Sequence, residues 1–227
     1  MKKILIFIGP PGSGKGTQAK KIAENHHYGH ISTGDLLRKL QTSDDIKPDE
    51  AAALKEMKAG HLVPDWLIYR LVFKEADSYL DRGHGIVLDG AIRNIPQAAK
   101  YQEYFKEKNL ADEVVAVEIG LSDEESFNRL SKRRICEKCG EIIPWTPELE
   151  SIKACPKCGG KLVARADDSE EVIEKRIVEQ GNAVLQPIRD YYQNLGILQT
   201  INGMESIDKV AADIEEAIKP QTYAHKI

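Results

Sequence analysis

Gly9-Pro10-Pro11-Gly12-Ser13-Gly14-Lys15-Gly16-Thr17 follows without a gap on the apolar run Ile4-Leu5-Ile6-Phe7-Ile8. A strand feeding a glycine-rich turn and then a helix makes an anion cradle. Glycines 9, 12 and 14 let backbone N–H groups turn inward, Lys15 adds a compact cation, and the helix from Lys15 onward points its positive end at the same spot. Such a loop is built for phosphates. The usual pattern closes Gly-Lys-Ser/Thr, but here Gly16 holds the hydroxyl position and Thr17 comes one residue later. A metal at this loop must therefore be held through water and by carboxylates from elsewhere. The alternative, an ordinary glycine-rich turn, fits less well with a strand before it and a helix after it.

Working outward, residues 17–24 carry Ala19, Ile22 and Ala23 at helical spacing, and His30-Ile31-Ser32 reads as a short buried strand. Ser32, Thr33 and Asp35 offer caps for the next helix, with Arg38 one turn in; a solvated arginine on a capped helix is the plain alternative. Residues 40–60 read as two polar, poorly cored helices around a loop, a weakly packed and mobile flap. Pro64-Asp65 then opens a helix to Leu80 with Trp66, Ile68, Tyr69, Val72, Phe73 and Ala76 toward the core. Gly85-Ile86-Val87-Leu88-Asp89-Gly90 is a second strand, ending in an acid. Ligands bind at the carboxyl ends of strands in open α/β sheets, so Asp89 should face the same crevice as Lys15 and hold a water-coordinated Mg2+. Arg93 and Gln97 are expected one turn apart on the following helix. Val114–Val117 and Gly196–Ile201 complete five strands separated by helices. The fold class is α/β, a five-stranded parallel sheet flanked by helices.

The bulk numbers set the class. The chain has 227 residues, 41% hydrophobic and 30% charged, with a formal net charge of -4. That balance argues against nucleic acid or an anionic membrane as a partner. The apolar hexamer after Met1-Lys2-Lys3 is too short for a signal-peptide core, and no stretch approaches the ~20 apolar residues of a membrane span, so a cytoplasmic protein is expected.

All four cysteines lie in one insertion, as Cys136-Glu-Lys-Cys139-Gly and Cys155-Pro-Lys-Cys158-Gly. Two C-x2-C pairs, each followed by a glycine, read as a tetrahedral Zn2+ site; four thiolates fill the metal, so it is structural. Two disulfides, or iron in the same cage, are the competing readings, and a cytoplasmic setting disfavours the first. An insertion this small cannot bury a core of its own, so its folding should depend on the metal. Residues 132–168 hold eight cations against six anions, a weak footprint for nucleic acid. Arg129, Arg133 and Arg134 precede the cysteines, and Arg165 and Arg176 follow them. Guanidinium groups gathered this way stabilise a phosphoryl group in transfer; salt bridges to Asp167 and Asp168 are the alternative, with more weight for Arg134 than for the others.

Taken together, and in this order along nearly the whole chain, these motifs resemble the adenylate kinases of the long-lid bacterial type with a zinc-binding lid. The resemblance implies a P-loop nucleoside monophosphate kinase fold with a core of residues 1–31, 64–131 and 169–227, an NMP-binding domain at 32–63 and a zinc-ribbon lid at 132–168. It implies reversible phosphoryl transfer from MgATP to AMP, giving two ADP, by a monomer. By the same resemblance Gly12, Ser13, Gly14, Lys15, Gly16 and Thr17 cradle the ATP phosphates, while Arg129 and Glu205 lie by its adenine. Thr33, Arg38, His61, Leu62, Val63, Gly90, Arg93 and Gln97 belong to the AMP site, joined by Arg165 and Arg176. Lys15, Asp89, Arg93, Arg133, Arg165 and Arg176 act on the transferred group. No covalent intermediate is expected, because the acceptor oxygen is already a nucleophile.

Two stretches depart from the family pattern. Ala91-Ile92 stands where Phe-Pro is usual, which implies a looser acceptor wall. Ile142-Ile143-Pro144 stands where zinc-type relatives often carry Thr-Tyr-His, which removes an aromatic near the ATP base. A kinase with a shifted acceptor (CMP, UMP or a deoxynucleotide) and a nucleotide-binding module without turnover remain as alternatives. Gln97, where pyrimidine-specific relatives carry Asn, favours AMP, and the many cations converging on one phosphoryl argue against binding alone.

Overall fold

The apolar run ahead of the glycine loop forms β1 (Ile4–Ile8), the middle strand of a five-stranded sheet. It pairs in parallel with β3 (Ile86–Asp89) on one side and β4 (Val114–Gly120) on the other. β2 (Gly29–Ser32) and β8 (Leu198–Asn202) are the edges, giving the order β2-β3-β1-β4-β8 with every pairing parallel. The five expected strands are these five. The coordinates are a computed structural model and describe residues 1–58, 63–146, 149–165 and 168–219.

β1 is apolar throughout because both faces of the sheet are covered. Ile4, Ile6 and Ile8 join one buried cluster with residues of α4 (Asp65–Leu80), α5 (Ile95–Glu107) and α8 (Asn182–Asn194). Leu5 and Phe7 join the other, against α1 (Lys15–His26) and α9 (Ile207–Ala217). Alternate side chains of a strand point to opposite faces, so one five-residue run supplies both cores.

α2 (Thr33–Gln41) starts at Ser32, whose side chain accepts from the Asp35 amide, and α3 (Pro48–Lys58) follows the polar loop. The expectation of a poorly cored pair here needs correction. Leu37, Ala53 and Leu54 are buried in the larger cluster, beside Leu67 of α4, so both helices are seated on the main core. Trp66 is also misplaced by the sequence reading. It is 42% exposed and lies under the Arg70 guanidinium, 5.3 Å away, while Leu67 takes the buried position.

α6 (Asp123–Ser131) leads into the cysteine insertion and α7 (Glu170–Gln180) leads out, packed against each other. Between them β5 (Arg134–Cys136), β6 (Ile142–Ile143) and β7 (Leu162–Ala164) form a small antiparallel sheet of order β6-β5-β7. Among the described residues no helix is long and apolar enough to cross a membrane.

Candidate active site

Parallel pairing puts the glycine loop and the acid at the same level. Phe7 of β1 is level with Asp89 of β3, so the loop leaving β1 opens beside that carboxylate. Gly14, at φ 91°, is the left-handed residue from which α1 starts. The Lys15 ammonium folds back onto the loop, donating to the carbonyls of Gly9 (2.6 Å) and Pro10 (2.8 Å) and to Ser13 Oγ (3.3 Å). Burial lowers its pKa to about 7; Asp89 opposes that shift, and Arg93, Arg176 and Arg133 add to it. A phosphate in the loop would replace the carbonyls as partner and restore the charge.

Position 16 lies close against the acid of β3. A Cβ there would come within 3.1 Å of Asp89 Oδ2, a tight approach from which the carboxylate would have to give by a few tenths of an ångström. Burial pushes the Asp89 carboxyl up, but His30, Lys15 and Arg93 outweigh it and hold it below the usual carboxylate value. An ionised oxygen pair at this position fits a water-coordinated divalent cation.

Arg133 grips Asp168 with both ends of its fork, Nε to Oδ2 and NH2 to Oδ1, each at 2.7 Å. Arg176 of α7 shares Oδ1 at 2.9 Å, and the Asp168 side chain is 2% exposed. The salt-bridge alternative is thus realised for both residues, with Asp168 fixing two guanidinium groups close enough to act on Lys15. Arg165 directly follows β7. Arg134 donates to the carbonyls of Ile152 (2.6 Å) and Leu149 (2.7 Å), tying the insertion together. Arg129 pairs with Glu125 one turn earlier on α6, at 2.9 Å.

On the other side of Asp89, the Thr33 hydroxyl donates to the Gly90 carbonyl at 3.0 Å, and Arg93 Nε donates to the same oxygen at 3.0 Å. Arg93 does not sit on the helix, as the sequence suggested; Asn94 caps α5, and Arg93 lies in the loop before it. Its backbone amide donates to Gln97 Oε1 (2.6 Å), whose Nε2 reaches Asp65 (2.6 Å), while its NH1 donates to Gln180 Oε1. Ala91 and Ile92, expected to loosen this wall, are 2% and 3% exposed and packed in the main cluster. Small and aliphatic side chains here fill the core in place of a ring. Arg38 pairs with Asp35 at 2.5 Å and is 41% exposed, and Val63 is buried in the same cluster. His61 and Leu62 lie outside the described residues.

The four cysteines are free, and their sulfurs lie within 4.8 Å of one another. The Cys136–Cys158 and Cys139–Cys155 sulfurs are 3.5 and 3.7 Å apart. Those separations are well beyond a disulfide's ~2.05 Å and near the ~3.8 Å edge of a tetrahedron with ~2.3 Å metal–sulfur bonds. The cluster is compatible with Zn2+. The insertion leans on α1 through Glu141, which pairs with Lys20 at 3.0 Å and Lys157 at 3.3 Å. Between them runs a cleft of about 550 Å3 that starts at Thr17 and is walled by Ile142, Ile143, Pro144 and Ile207. Glu205, on the loop after β8, is exposed and accepts from Asn202 at 3.3 Å.

Several site residues escaped the sequence reading. Gln180 could have been noticed four residues after Arg176, on the same helix face. His30, which the sequence places only in a short strand, has Nε2 3.9 Å from Asp89 Oδ2, a proximity that depends on β2 lying beside β3. The Lys20–Glu141 pair spans the core and the insertion and leaves no local signature.

Comparison with known proteins agrees with this geometry. The family model described as adenylate kinase matches residues 7–197. An adenylate kinase of Thermodesulfovibrio yellowstonii is 39% identical over 208 residues, 91% of this chain and 94% of its own. One from Carboxydothermus hydrogenoformans is 38% identical over 222 residues (95% and 99%), and one from Methanothrix thermoacetophila 40% over 217 (94% and 97%). With a parallel sheet, a phosphate loop and matches running nearly end to end, the chain belongs to the adenylate kinase family.

Proposed function

We propose a division of labour for the reaction that family membership assigns, Mg-dependent phosphoryl transfer ATP + AMP = 2 ADP. The observation that carries it is the convergence of Lys15, Asp89, Arg93, Arg133 and Arg176 at the carboxyl ends of β1 and β3. The loop from Gly12 to Thr17 binds the donor phosphates, and its adenosine lies in the cleft between α1 and the insertion, near Arg129 and Glu205. Thr33, Arg38, Gly90, Arg93 and Gln97, with the segment His61–Val63, hold AMP. Arg133, Arg165 and Arg176 spread their charge over the group in transfer. Asp89 would hold Mg2+ through water, and the ion would supply charge neutralisation of the ATP phosphates.

Catalysis is then positioning plus electrostatics. The AMP phosphate oxygen attacks in line, the bond from the γ-phosphorus to the bridging oxygen breaks, and ADP leaves with that oxygen. Residues 32–63 act as the acceptor domain and 132–168 as a lid folded around Zn2+. Both nucleotide sites are built from one chain, which supports a monomer, and four unpaired thiols suit the reducing cytoplasm. A net charge of -4 is consistent with small nucleotides and not nucleic acid as partners.

Diphosphate formation from MgATP and each monophosphate in turn tests the reading. AMP should exceed CMP and UMP by at least about a hundredfold in kcat/KM. Faster turnover of a pyrimidine would overturn the acceptor assignment, and no turnover with any of them would leave only a binding module.

A further inference from the structure

Gln180 and Arg176 both lie on α7, one turn apart and so on one face. Arg176 donates to Asp168, which also holds Arg133, and its charge acts on Lys15 of the phosphate loop, whereas Gln180 accepts from NH1 of Arg93, on the acceptor side of Asp89. Gln180 is 9% exposed, and its contact with Arg93 spans 87 residues of sequence. Nε of Arg93 is held by the Gly90 carbonyl, so these two oxygens determine the plane of the guanidinium. NH2 is the terminus turned toward Gly90 and Thr33, with a Cβ on Gly90 falling 3.0 Å from it.

We propose that Gln180 is a positioning residue for the acceptor phosphate, acting through Arg93. A guanidinium with Nε and NH1 tied to fixed neutral oxygens keeps its full charge and presents its remaining N–H groups in one direction. A carboxylate in the same place would orient it equally well but would cancel the charge the phosphate needs. Because α7 leaves the cysteine insertion and carries Arg176 as well, one rigid helix sets both the donor-side and the acceptor-side arginine. The spacing of the two bound phosphates is thereby tied to the seating of that helix. The proposal rests on the assignment of Arg93 to the acceptor phosphate.

The test is steady-state kinetics of Gln180→Met, which keeps the volume of the side chain and removes the accepting oxygen, with Arg93→Met and the double variant. Q180M should raise KM for AMP about tenfold, the worth of one hydrogen bond to a charged group, with KM for ATP changed less than about twofold and Tm unmoved. On the R93M background Q180M should have no further effect, since the residue it acts through is gone. If R93M itself leaves KM for AMP and kcat unaltered, the acceptor assignment is wrong. If R93M impairs AMP turnover while Q180M leaves KM for AMP within about twofold of wild type, or the two effects add in full, the positioning role alone is overturned. Should Q180M fail to fold, Gln180→Asn, which keeps the amide but withdraws it by one methylene, must give the same shift in KM for AMP.

Discussion

The sheet around β1 buries Ile4, Ile6 and Ile8 on one face and Leu5 and Phe7 on the other, whereas among the described residues of the insertion only Cys136, Ile143 and Cys155 are buried. The first region is held by apolar area removed from water, at roughly 25 cal/mol per Å2. The second has too little apolar area for that. It relies on four converging thiols, on the Arg134 guanidinium bound to backbone carbonyls, and on the partly exposed Lys20–Glu141 and Lys157–Glu141 pairs. Exposed ion pairs contribute at most about 1 kcal/mol each. The core and the cysteine insertion are therefore held by different physics, and each can be damaged without the other.

The largest effect should come from the core without unfolding it. Lys15→Met removes the cation of the glycine loop, proposed to face the donor phosphates, and should cut kcat/KM by about a thousandfold. The thermal midpoint should stay level or rise, because an ammonium that burial has lowered to about 7 costs the folded state more than a thioether does. A fall of many degrees would show that Lys15 is needed for folding.

Next, Ile6→Ala should cost about 3 kcal/mol of global stability, seen in denaturant melts. Ile143→Ala, although equally buried, should leave that melt in place and instead speed amide exchange in residues 132–165. Equal shifts from the two variants would break the contrast between the regions. Chelation makes a third, smaller perturbation. Stripping the metal should unfold the insertion alone and lower turnover by about ten- to a hundredfold, with exchange in β1 and β4 unchanged. Unaltered protection around the cysteines would refute the structural-metal reading.

The pH dependence should be the mildest effect. In the free protein Lys15 titrates near pH 7, far below an ordinary lysine, so its burial penalty is present in full below that pH and is relieved as pH rises. Bound phosphate favours the charged form and raises the pKa again. Between the two values ATP binding must take up a proton, and affinity should fall with rising pH by up to about tenfold per unit. Calorimetry in two buffers of different ionisation heat should show uptake of about one proton at pH 8 and almost none at pH 6. Proton release at pH 8 would contradict the assignment.

Local sequence was enough wherever one stretch carries the whole signal. The glycine loop, the strand ahead of it and the C-x2-C pairs each state their chemistry within about ten residues, because turn geometry and thiolate spacing are local properties. Helix faces were read less well. Trp66 and Leu67 are neighbours at the start of α4, and which of them is buried depends on how α4 is rotated against β2 and α2, not on hydrophobicity. Arg93 was placed on a helix because Gln97 lies one turn later; the Asn94 cap, a short side chain on an extended residue, moves the helix start past it.

The α/β class, the phosphate loop, the absent hydroxyl at Gly16, the acid that ends β3 and an insertion with four paired cysteines were legible in the sequence. Each follows from residues near one another in the chain or from the alternation of strands and helices. The contacts across the fold needed the folded chain: the tight approach of Asp89 to position 16, the pairing of Asp168 with Arg133 and Arg176, and the hydrogen bond from Arg93 to Gln180. Those contacts join segments up to 87 residues apart, and they exist because parallel strands bring their carboxyl ends, and the loops that leave them, to one edge of the sheet.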